Sequence, residues 1–196
     1  GRKDLIGAMG TKAVHFMSEE ERRRAPKHED YFIDLGLPYE EVIKHVAVGD
    51  PVTRERGLIE MGDCLNSKSL DNRTGVFVLI ETLRALMTVP YDVYAVFTVQ
   101  EVVGLRGAEV AAHHINPRWG LALDTSTSSD MPTVPMNKRI NLLGCGAGIK
   151  LMDARTICDY RMVDFLKKKA AHHQIPWQTD LKAVGGTATA PVQRKG

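Results

Sequence analysis

The stretch Val93–Val99 (Val-Tyr-Ala-Val-Phe-Thr-Val) is apolar but for one threonine. Such a run marks a strand buried on both faces, and strands of that kind belong to parallel sheets covered by helices on each side. The neighbouring residues have the matching pattern. Before the run, Val76, Leu79, Ile80, Leu83 and Met87 recur at helical spacing, in an amphipathic helix that starts near Asn72 and stops ahead of Pro90. After it come a helix from about Gly107 to Ile115, a short strand Gly120–Leu123, and a Ser/Thr/Pro-rich loop from Thr125 to Pro135. A strand around Ile149–Met152, a helix from about Asp159 to Gln174 and a strand Trp177–Ala183 complete the series. Strands alternating with helices predict an α/β fold with a doubly wound, mostly parallel sheet.

Residues 1 to about 66 read differently, as a separate β-rich piece. Leu5–Gly10 is apolar and glycine-rich. Ser18 with Glu21 has capping-box spacing, so a short charged helix over Glu19–Arg24 is expected ahead of Pro26. A strand is expected over Asp30–Leu35, and a short helix over Pro38–His45 with its acids early and its lysine late, as the helix dipole favours. Val48–Val52 reads as a turn leading into a strand.

The chemistry is concentrated in three acids. Glu101 ends the apolar run and opens a glycine-punctuated turn, Asp71 stands just before a helix, and Asp124 closes the next strand. In an open α/β sheet, ligands collect outside the carboxyl ends of the strands, so all three are expected in one crevice. Three readings stay open on spacing alone. The acids form a divalent-metal site with one carboxylate left as general base, a glycosidase pair, or a solvated rim.

Other signals point to no chemistry. Gly144–Gly148 resembles a nucleotide loop but precedes a strand, the wrong order for that motif. His113–His114 and His172–His173 are adjacent on helices, where neighbours point about 100° apart and cannot chelate together. A net charge of +2 gives no reason to expect nucleic acid or an anionic membrane surface as partner. The odd set Cys64, Cys145 and Cys158 fits reduced thiols in a cytoplasmic protein, and no stretch has the length of a membrane span.

At these acids the sequence resembles the M42 family of metallo-aminopeptidases, the cytosolic enzymes that assemble into large tetrahedral shells. Lys68–Gly75 (Lys-Ser-Leu-Asp-Asn-Arg-Thr-Gly) looks like the family's Asp-Asn-Arg motif, Val99–Glu101 with Val103–Ala108 like the segment of the catalytic base, and Ala122-Leu123-Asp124 like a metal-binding strand end. Glu20–Gly36 resembles the later part of the small β-barrel domain inserted in the family's catalytic domain. The resemblance therefore implies a three-layer, zinc-peptidase-like α/β fold, mostly parallel sheet with flanking helices. Residues 1–66 would be the C-terminal part of the inserted oligomerisation domain, and 67–196 the central part of the catalytic domain. It implies release of N-terminal residues from short peptides, self-association into a homo-oligomer, and two divalent ions, zinc or cobalt. Glu101 would be the base, Asp71 would bridge the two ions, and Asp124 would be a terminal ligand.

The sequence departs from the family's pattern in four ways. Val102 stands where members have a second, metal-binding glutamate, and Ala188 follows Gly185-Gly186-Thr187 where an aspartate is usual. The family's N-terminal and C-terminal histidine ligands fall outside the 196 residues, so the chain reads as a fragment. A catalytic zinc needs about three protein ligands, so impaired metal binding is expected. The alternative is a degenerate, non-catalytic member acting as an oligomeric scaffold.

Overall fold

The computed structural model describes residues 4–195, in two compact units, Gly1–Lys68 and Ser69–Gly196. The first unit holds β1 (Ala8–Thr11), α1 (Glu19–Arg23), β2 (Tyr31–Asp34), α2 (Tyr39–His45), β3 (Ile59–Met61) and β4 (Cys64–Asn66). β1 pairs antiparallel with β2, Ala8 opposite Asp34 and Thr11 opposite Tyr31, and β3 pairs antiparallel with β4. Ser18 caps α1 as its spacing predicts: its Oγ accepts from Glu21 N at 3.2 Å, and the Glu21 carboxylate accepts from Ser18 N at 2.6 Å. Arg24 and Asp30 form a two-pronged ion pair at 2.5 and 2.8 Å, which holds the Asp30 carboxyl at about 2. No strand forms after Val48–Val52; the next one begins at Ile59.

The second unit carries α3 (Leu70–Ala85), α4 (Arg106–Ile115), β5 (Ala147–Met152), α5 (Tyr160–His172), β6 (Trp177–Leu181) and α6 (Thr189–Arg194). β5 and β6 pair in parallel, from Ala147 opposite Trp177 to Lys150 opposite Asp180, with a register shift before Met152. The intervening α5 is the crossover that a parallel pair requires. Asp159 caps it, accepting from Arg161 N at 2.8 Å. Gly146 precedes β5 because nothing larger fits there: a Cβ would lie 2.3 Å from the Pro176 carbonyl. Close approach of the chain before β6 accounts for the glycine at 146, and the positive φ of 78° for the one at 144.

The expected continuous sheet is present only in part. Val93–Val99 and Gly120–Leu123 carry no ladder among the described residues, and β5–β6 is the parallel pair that forms. A strand is defined by a bonded neighbour, which hydrophobic sequence alone does not supply. Within this unit Val93, Phe97, Val99 and Leu121 remain solvent-exposed, and α3 buries none of its residues. The apolar core consists of small and medium side chains, among them Leu105, Ala108 and Ala112 at α4 and Ile149, Val163 and Ala170 at β5–α5. Among the described residues no helix is long and apolar enough to cross a membrane.

Candidate functional site

The start of α3 is held by one side chain. Asp71 and Asn72 fall inside the helix bounds but have non-helical backbone angles (φ −84°, ψ 107° and φ −119°, ψ 43°), so regular helix begins after them. Asn72 then acts as the cap: its Oδ1 accepts from Gly75 N at 3.0 Å, three residues on. Its Nδ2 donates to Leu123 O at 2.8 Å, 51 residues away. Asp71 precedes one end of that bridge and Asp124 follows the other. Gly75 makes the close approach possible, because a Cβ there would meet Asn72 Oδ1 at 2.3 Å and Leu123 O at 2.7 Å.

Glu101 is set by a folded-back loop. Val99 O accepts from Gly107 N at 3.0 Å, Gln100 O from Arg106 N at 3.2 Å, and Glu101 O from both Gly104 N and Leu105 N at 3.0 and 2.8 Å. These bonds return the chain from the end of the apolar run into α4. They require left-handed backbone at Gln100 (φ 56°) and Leu105 (φ 62°), a conformation that costs non-glycine residues about 1–2 kcal/mol. Ser69, just before Asp71, is left-handed as well (φ 63°). Strain of this kind concentrates at functional segments held by their surroundings.

The structure brings Asp71, Glu101 and Asp124 to one cleft of about 550 Å³. Leu79, Tyr94, Val96, Ile115 and Trp119 add apolar surface to its lining. The Glu101 carboxyl is pushed above its ordinary range, first by burial, then by the negative charges of Asp124 and Asp71. Asp124 is also pushed up, chiefly by desolvation and further by Asp71. A hydrogen bond from Thr125 N at 2.8 Å and the charges of Lys150 and Lys182 act in the opposite sense. Among the described residues no lysine or arginine forms an ion pair with any of the three acids.

Hard oxygen donors that form no ion pair with a lysine or arginine among the described residues suit a divalent cation chemically. Their number is short. Among the described residues no three His, Cys, Asp or Glu side chains stand together closely enough to hold a metal ion. Val102, beside Glu101 in the cleft lining, is 92% exposed and offers only hydrocarbon. Ala188 also lines the cleft and gives α6 no side-chain cap. The histidine pairs lie elsewhere: His113 and His114 sit in the last turn of α4, and the His172 and His173 rings contact each other edge-on at 4.8 Å.

The spacing of the acids along the chain indicated the cleft. It gave no role to Asn72, although asparagine three residues before Gly75 at the head of an apolar helical pattern is an N-cap signature.

The family model described as M42 glutamyl aminopeptidase matches residues 1–196. Among solved structures, an aminopeptidase from the archaeon Desulfurococcus kamchatkensis superposes with a TM-score of 0.88 at 35% identity, covering 95% of this chain and 52% of its own. A TET aminopeptidase from the marine sediment archaeon Thaumarchaeota archaeon SCGC AB-539-E09 gives 0.90 at 30% identity, covering 98% and 56%. The TET1 peptidase of Pyrococcus horikoshii, which can assemble into a tetrahedron or a large octahedral shell, gives 0.75 at 26% identity, covering 97% and 57%. The chain spans about half the length of the curated relatives it matches, 52% and 53% of two that are each 34% identical to it.

Two stability measurements test this geometry. Gly75→Ala forces Asn72 and Leu123 apart and is expected to cost about 1–3 kcal/mol in denaturant unfolding. Glu101→Gln removes one of three repelling charges. The folded-state pKa of Glu101 is raised, so its protonated form is the favoured one in the fold. Its contribution is fully present below the unfolded value of about 4.3 and is lost as pH rises through the folded value. In the presence of a chelator, the variant is therefore expected to melt higher than the parent at pH 7 and to match it at pH 3.5.

Proposed function

The chain belongs to the M42 glutamyl aminopeptidase family, and from that premise we propose that its 196 residues carry the centre of a metal-dependent aminopeptidase. The substrates in this reading are short peptides, from which N-terminal residues are released. The observation that carries the proposal is that Asp71, Glu101 and Asp124 line one cleft and that, among the described residues, none of them forms an ion pair. In this reading Ser69–Gly196 is the central part of a three-layer, mostly parallel α/β catalytic domain, and Gly1–Lys68 the later part of an inserted β-barrel domain used in self-association. The assembly of the related TET1 peptidase into shells supports self-association, and a cytoplasmic location fits the free cysteines.

Asp71 and Asp124 would hold a divalent cation, zinc or cobalt, completed by donors beyond these two. When bound, that ion would polarise the scissile carbonyl and increase the acidity of a water molecule. The chain's own contribution to the chemistry is Glu101. Its half-buried carboxylate accepts a proton from that water at one oxygen and returns it to the departing amine, a task favoured by a pKa raised above the ordinary carboxylate range by burial and by the charges of Asp124 and Asp71. The apolar lining of the cleft, with Tyr94 and Trp119, gives a hydrocarbon side chain of the substrate a place to bury. A second cation beside Asp71 lacks the donor that a glutamate at position 102 would supply.

That last point favours one further reading, a non-catalytic member retained for its assembly. An exposed isopropyl group at Val102 is what a lost ligand would leave behind. The two readings separate in one assay, hydrolysis of aminoacyl-nitroanilides with added zinc or cobalt. The enzyme reading expects turnover that falls by about 10²–10⁴ in Glu101→Gln. No turnover with either metal would overturn it for this chain. Val102→Glu is then expected to raise the number of cobalt ions bound, counted by calorimetry. Unchanged stoichiometry would mean that position 102 does not face a second ion.

A further inference from the structure

Asp180 is 3% exposed and lies in β6, a charged group in the interior of a strand. Burial of a carboxylate is costly unless it is paired and hydrogen-bonded. Its pairing comes from Lys150, its cross-strand neighbour on β5, whose Nζ stands 3.6 Å from Asp180 Oδ2 and 3.4 Å from Oδ2 of Asp153, itself 3% exposed. Lys182 Nζ approaches the same Asp180 oxygen at 4.0 Å. These contacts stay within β5, β6 and the residues that directly follow each strand.

One contact leaves that set. Ser126 Oγ donates to Asp180 Oδ2 at 2.7 Å, across 54 residues, and accepts from Asn141 Nδ2 at 2.5 Å. Ser126 is two residues beyond Asp124. Asn141 in turn is tied to the same loop through its backbone, its carbonyl accepting from Ser129 N at 3.0 Å. Asp124 is therefore held on both sides, by Asn72 on the carbonyl of Leu123 and by Ser126 on a buried, charge-compensated aspartate. A chain of this kind is how outer groups fix the direction of a ligating carboxylate.

We infer that Asp180 is a positioning residue for Asp124, acting through Ser126 and held in place by its ion pair with Lys150. The inference rests on the reading of Asp124 as a metal ligand. It adds that the β5–β6 pair is part of the site's support and not only of its scaffold.

Ser126→Ala is the decisive variant, because it removes the link and leaves the Asp180–Lys150 pair in place. In the full chain, two readouts are taken together: cobalt affinity from the visible absorption of the bound ion, and hydrogen exchange of the Thr125 and Thr127 amides without metal. Ser126→Ala is expected to weaken cobalt binding by about 10–100-fold and to speed exchange at both amides. Ser126→Thr, which keeps the hydroxyl, is expected to restore both, and Asp180→Ala to reproduce the defect. Parent-like affinity and exchange in Ser126→Ala would overturn the inference. If the parent itself bound no cobalt, the metal reading would fail instead. Exchange would then decide the positioning role alone, faster amides supporting it and unchanged amides overturning it.

Discussion

The geometry of the cleft depends on the Asn72 side chain. Its amide joins the start of α3 to the end of the Gly120–Leu123 segment with two hydrogen bonds, to Gly75 N and from its Nδ2 to Leu123 O. Each such bond is worth only about 1 kcal/mol net. Their effect on geometry is larger, because Asp71 is the preceding residue on one side and Asp124 the following residue on the other. Two carboxylates that would otherwise separate are thereby fixed in a shared cleft. Gly75 is the condition for this closeness, since any side chain there would occupy the space of the bridge.

Two treatments of negative charge lie close together in the second unit. Asp153 and Asp180 are more deeply buried and share an ion pair with Lys150, with Lys182 near one of them. Asp71, Glu101 and Asp124 line an open cleft and, among the described residues, form no ion pair; burial and mutual repulsion push Glu101 and Asp124 toward the neutral form, against the more distant charges of Lys150 and Lys182 on Asp124. The first arrangement spends its electrostatics on holding a loop in place. The second leaves charge unsatisfied where a cation and a substrate amine could satisfy it. Left-handed backbone at Ser69, Gln100 and Leu105 follows the same division, because these strained residues flank the cleft acids and not the compensated pair.

Much of this was legible in the residues themselves. The capping box at Ser18 and Glu21, the short helix before His45, and the β5–α5–β6 unit follow from spacing, caps and periodicity, which are local properties. The three acids were legible for a related reason: each sits at the end of an apolar run or the head of a helix, where the chain direction makes a side chain face a crevice. The apolar run Val93–Val99 illustrates the limit of that reasoning. Its composition says that it is made to be covered, but a ladder needs a neighbour, and among the described residues it has none.

What the sequence determined by itself was therefore the helices and the β5–α5–β6 unit, the family, and the carboxylates that could carry the chemistry. Short-range pattern is enough for these, because helix caps, strand runs and motif spacing are written within about a dozen consecutive residues. Only the tertiary structure decided which distant groups meet. Asn72 reaches Leu123 across 51 positions and Ser126 reaches Asp180 across 54. No periodicity encodes such pairings; they exist because the tertiary fold sets the head of α3 beside Leu123 and the loop after Asp124 beside β6, where polar side chains leaving water take partners within reach.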